Sequence, residues 1–167
     1  MKSVFETNYD EICQYINNDD FNNAFDQTVV VLNIFTDKYN NLDYNINEFR
    51  SDCKYTFTII KKVFEMDGDV LSDMYYDIEH EKNKDMKYLM IQEKNEYLIF
   101  MNALEYIVDN IDDIDINSCN LHEQCSIIIN YMNEKQKSSK ELMDSLNELG
   151  DSLKKVENVL HVLNNST

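Results

Sequence analysis

The chain has no proline and only two glycines in 167 residues. Strand-rich and loop-rich folds turn on those two residues, so a chain without them is pushed towards helices joined by short polar connections. Apolar residues recur at helical spacing almost throughout, which agrees. The same shortage removes the glycine-rich phosphate loop and the strained nucleophile elbow that many enzymes use. Such a chain reads as a surface that binds something.

An apolar fraction of 43% is globular, and 167 residues fit one domain with a real core. The formal net charge is −17 with a single arginine, Arg50. Neutralising phosphates needs clustered Lys and Arg, so neither nucleic acid nor an anionic membrane is an expected partner. A basic protein partner stays open, as does plain solubility from surplus acid. The N-terminal stretch is too polar for a signal peptide and no apolar run has membrane-spanning length, so a cytoplasmic protein is expected. Cys13, Cys53, Cys119 and Cys125 sit in or beside apolar helical runs, as reduced thiols do.

The periodicity predicts an all-α, single bundle of about seven helices, with residues 1–135 as the bundle domain and 138–164 as a C-terminal helix. The first helix runs from Val4 to Ile16. The second is capped by Asp19 or Asp20 and carries Phe21, Phe25, Val29, Leu32, Phe35 and Tyr39. The third covers Ile46 to Met66 and ends at Asp67-Gly68, and a short fourth passes through Leu71 to Ile78. Glu96 to Ile111 is apolar on most sides and is expected at the centre of the bundle. A sixth helix covers Cys125 to Met132. Ser138 with Glu141 forms a capping-box pattern that opens the seventh.

In that last helix Leu142, Leu146, Leu149, Leu153, Val156, Leu160 and Leu163 alternate by four and three. Such a seam docks on its own bundle, pairs with a second copy, or binds a foreign partner. The strict 3.5 period favours a supercoiled partner. The segment from Leu142 to Leu153 also resembles the Bcl homology-three death motif, with Leu142, Leu146, Leu149, Gly150, Asp151 and Leu153 in the matching places. A leucine heptad supplies the apolar positions of that motif unaided. Gly150 is the odd residue, because glycine inside a helix costs about 1 kcal/mol against alanine.

No catalytic, cofactor-binding or metal-binding residue stands out. Asp113, Asp115 and Asn117 have the opening spacing of a calcium loop, but Ser118 and Gln124 replace its glycine and closing glutamate. Cys119, His122 and Cys125 lack a fourth ligand for zinc. Nothing pairs a histidine with a nucleophile.

Two segments resemble poxviral Bcl-2-like proteins. Lys61 to His80 is similar to that family's second and third helices through Phe64, Asp67, Asp69, Tyr75, Tyr76, Asp77 and Ile78. Tyr97 to Glu134 is similar to its central helix, acidic turn and isoleucine-rich closing helix. The family's tryptophan after the first helix and the glycine of its central helix have no counterpart, and the heptad helix extends past its usual end. Heavy use of Asn, Ile, Tyr and Lys, with Ala24 and Ala103 the only alanines, is the skew of an AT-rich genome, as some poxviruses, phages, bacteria and protists have. The resemblance implies a non-enzymatic viral protein in the host cytoplasm. Its partner would be a host protein of innate signalling or apoptosis, with signalling preferred because the family's death-motif groove signature is missing. The competing expectation is a small acidic helical inhibitor of phage or bacterial origin, an immunity protein or nucleic-acid mimic, which uses the charge better.

Overall fold

The computed structural model describes residues 1–40, 45–115 and 117–165. Among these the chain is all helical, with six α-helices. They are α1 (Val4–Asn17), α2 (Phe21–Tyr39), α3 (Ile46–Phe64), α4 (Val70–His80), α5 (Lys84–Asn110) and α6 (Cys119–Asn165). A 3-10 turn at Glu65–Asp67 follows α3. By contacts the chain divides into two units, Met1–Tyr131 and Met132–Thr167.

Helix starts follow the local chemistry. The Asp20 side chain accepts from the Asn23 N–H at 3.2 Å and opens α2. Asn45, Asp69 and Asn83 cap α3, α4 and α5 in the same way. Gly68 follows the 3-10 turn at φ 71°, a left-handed conformation that a Cβ would strain.

The core of the first unit is built on α3, which touches α1, α2 and α5. Phe49, Cys53, Phe57, Ile59, Ile60 and Val63 are all buried on it. Phe35 packs edge-on against Phe5 and Phe57, with ring centroids 6.2 and 5.3 Å apart. Phe100 stacks on Tyr131 at 4.1 Å, fixing the early part of α6 to α5.

Three expectations change. The segment Glu96 to Ile111 is not wrapped on all sides. Tyr97, Phe100, Ala103, Leu104 and Ile107 are buried, but Ile99 is 53% exposed. α5 is therefore amphipathic, and it begins a dozen residues earlier than the apolar run because 84–95 is rich in good helix formers. Six helices replace seven, because the sixth and seventh form one 47-residue helix. Residues 133–141 contain neither glycine nor proline, so nothing there stops the helix, and Ser138 lies in its interior rather than at a cap.

One polar clip closes the unit. Asp52 is buried, accepting from Lys38 Nζ at 2.8 Å and from the Tyr39 hydroxyl at 2.5 Å. Burial alone would lower the Lys38 pKa. Hydrogen bonds to Asp52, Glu48 and Tyr39 outweigh it, and the pKa is raised. The lone arginine makes the other clip. Arg50 Nη1 donates to the carbonyls of Ile111 (3.2 Å) and Asp112, and Nη2 donates to that of Ile114 (2.9 Å). These carbonyls lie just past the end of α5, where no intrahelical donor reaches.

Arg50→Ala should therefore destabilise the first unit by about 2–3 kcal/mol, the usual worth of hydrogen bonds to a charged group. Thr56→Val should act oppositely. Its buried hydroxyl has no partner among the described residues, so removing it should raise the melting temperature by a few degrees. Thermal unfolding of both variants checks the pair, and a stabilising Arg50→Ala would discredit the clip.

Burial also raises the thiol pKa of Cys53, and pushes that of Cys125 up to about 12, from an ordinary value of 9.0. The folded chain keeps both protonated where the unfolded chain ionises them. Their effect is full below pH about 9 and stability falls as pH rises beyond it. Urea midpoints measured from pH 7 to 10 should decline above 9, and Cys125→Ala should flatten that decline.

Candidate functional site

The second unit is the part of α6 from residue 132 onwards, a single helix with nothing of its own to cover an apolar face. Leu142, Leu146, Leu149, Leu153, Val156, Leu160 and Leu163 are each 52–62% exposed. A row of large exposed side chains at regular spacing exceeds the scattered apolar residues normal on a monomer surface. In heptad terms Leu146, Leu153 and Leu160 are a positions, and Leu142, Leu149, Val156 and Leu163 are d positions.

The flanks of the seam were not singled out by the sequence reading, and they have a distinct chemistry. Met143, Gly150, Glu157 and Asn164 occupy the e positions; Ser145, Ser152 and Val159 occupy the g positions. Only Glu157 is charged. The Ser145 hydroxyl donates to the Glu141 carbonyl at 2.9 Å, and Ser152 donates to Glu148 at 3.0 Å. Both hydroxyls are thus satisfied inside the helix and present little unmet polarity beside the leucines. A Cβ added at Gly150 would meet nothing within 4 Å, so no packing inside the chain demands a glycine there. Residues 132–167 carry five lysines against six carboxylates, a net −1, which leaves −16 of the total −17 on residues 1–131.

The death-motif positions from Leu142 to Leu153 all lie on this exposed helix, with Asp151 exposed outside the seam. Other motif candidates are used locally. Asp115 accepts from the Asn117 N–H at 3.0 Å, and Ser118 accepts from the Leu121 N–H at 3.2 Å as the cap of α6. Ile116, between them, lies outside the described residues. Of the metal-spaced trio Cys119 and His122 are exposed and Cys125 is half-buried; all four cysteines are free thiols. Among the described residues no group of three or more His, Cys, Asp or Glu is placed to hold a metal ion.

Two further surface features belong to the first unit. A groove of about 320 Å³ is lined by Tyr9, Ser51, Lys54, Tyr55 and Thr58. Tyr75, Tyr76, Met86, Tyr88 and Leu89 are exposed on α4 and the start of α5, where Lys94 Nζ sits 4.6 Å from the Tyr75 ring centre. No described helix is long and apolar enough to cross a membrane.

Comparison with family models, with curated proteins and with solved structures finds no match for this chain.

Because the seam is exposed, it should be dispensable for folding. Leu149→Asp with Leu153→Asp should leave the thermal unfolding of residues 1–131 within about 0.5 kcal/mol of the parent, as surface changes do. Circular dichroism should show most helicity retained. Global unfolding of the variant would show instead that the leucines belong to the core.

Proposed function

We propose that the protein is not an enzyme and acts by holding another protein, with the heptad seam as its contact surface. The observation that carries this is the uncovered row from Leu142 to Leu163. Seven aliphatic side chains left half-exposed on one helix represent apolar area whose burial is worth about 25 cal/mol per Å², and an isolated helix has no use for them. A seam of period 3.5 recognises another helix.

For the process served, the resemblance of Lys61 to Glu134 to poxviral Bcl-2-like proteins supports inhibition of host innate signalling in the cytoplasm, ahead of a block on apoptosis. An all-helical chain accords with that. The charge distribution favours a second reading. With −16 concentrated on residues 1–131, that unit has the electrostatics of an acidic inhibitor aimed at a basic, nucleic-acid-binding protein.

Expression in cells carrying an innate-signalling reporter separates the readings. The first expects the reporter to fall several-fold and to recover with Leu149→Asp plus Leu153→Asp. The second expects no reporter effect and a binding partner released by salt. Turnover of a substrate by the purified protein, lost on changing one carboxylate or histidine, would refute both.

A further inference from the structure

We infer that the seam is occupied by a second copy of this chain, running antiparallel, with the two-fold axis passing beside Asp151. This rests on the reading of the seam as a protein-contact surface. A strict 3.5 period is met best by a helix of the same period, which a second copy supplies by construction. The flanks suit that pairing. In a chain of net charge −17, self-association needs a face where like charges do not meet, and of the e and g positions only Glu157 is charged. The inward-bonded hydroxyls of Ser145 and Ser152 are buried there without stranding a donor.

Orientation and register follow from charge and from Gly150. In the register proposed, Leu142 meets Leu160 of the second copy, Leu146 meets Val156, and Leu149 meets Leu153, each layer occurring twice. Gly150 and Ser152 then face their own copies on either side of the axis. There the missing Cβ lets two backbones approach, which gives Gly150 a role that the open space around it within one chain does not. Lys155 and Glu148 of the second copy, both at c positions, fall on the same side of the pair and within one residue of level. A parallel, in-register pair sets Lys155 beside Lys154 of the second copy. An antiparallel pair shifted by one heptad sets Lys155 beside its own copy. Antiparallel pairing also separates the two junctions at residue 132, and with them the acidic units, by about 55 Å along the axis. That is several Debye lengths at physiological salt.

Sedimentation equilibrium of the full chain at micromolar concentration tests this. The expected mass is twice 19.9 kDa, returning to 19.9 kDa in Leu149→Asp with Leu153→Asp. Lys155→Glu should weaken the dimer severalfold, because the new carboxylate of each copy then opposes Glu148 of the other. Adding Glu148→Lys to that variant should restore it. A parent chain that stays monomeric overturns the inference; if the Asp variant nevertheless loses the reporter effect, the seam remains a contact surface for another protein. A monomer whose Asp variant keeps full effect ends both readings. A dimer indifferent to Lys155→Glu overturns the antiparallel register.

Discussion

Three carbonyl oxygens just beyond α5 converge on one guanidinium, and the first unit depends on that convergence. Among the described residues no backbone donor reaches the carbonyls of Ile111, Asp112 and Ile114, and Ile111 and Ile114 are themselves buried. An unpaired buried carbonyl carries the full desolvation penalty of its group. Arg50 removes it from across the structure, since it sits on α3, the helix every early element packs against. The planar fork suits this task, since its fixed donors reach several acceptors at once while a lysine offers one point charge. Lys54, one turn further on, pairs with the Asp112 side chain at 3.1 Å, but that pair is exposed and contributes little.

Downstream of this clip, α6 serves two different ends with one heptad register. Counted back from Leu142, the a and d positions fall on Ser139 and Lys135, and then reach Met132, Ile128, Cys125 and Leu121. Ile128 and Leu121 are buried in the first unit. The leucines from 142 onwards keep the period yet stay exposed. Ser139 and Lys135 mark the change, two polar residues where the seam would otherwise run on. One long helix carries the same register through both stretches. It requires no loop and therefore neither proline nor glycine at the join.

Most of the helices were legible because their ends are written in side chains. Asp20 before Phe21 is a local signal that the structure uses as read, and Asp69 after Gly68 caps α4 in the same way. The join inside α6 was not legible for the same reason. Ser138 and Glu141 have the letters of a capping box, but a cap forms only where the preceding residues leave the helix, and Asn-Glu-Lys-Gln-Lys has no reason to leave. The place of α5 was misread because apolar content measures how much can be buried, while packing decides which side is. With α3 already enclosed by α1 and α2, α5 covers the remaining side and keeps Ile99 in water. Arg50 was noticed only as a count. Its partners are more than sixty residues away, and no spacing rule connects an arginine to carbonyls at that range.

The charge distribution makes the division between the two units more than a matter of contacts. A net −16 on 131 residues repels any second acidic surface and attracts basic ones, an effect that salt weakens. The seam works in the other regime. Its leucines gain from leaving water at any salt concentration, and its flanks carry almost nothing to screen. On the proposed readings the two surfaces respond oppositely to salt, so ionic strength alone would separate a partner of the acidic unit from one of the seam. Within the first unit the buried Asp52 shows how little charge the fold admits inside, since it is held by both Lys38 and Tyr39. Among the described residues the rest of the acid lies outside the core, where it would govern encounter in the proposed complex, while the leucines of α6 would govern what remains bound.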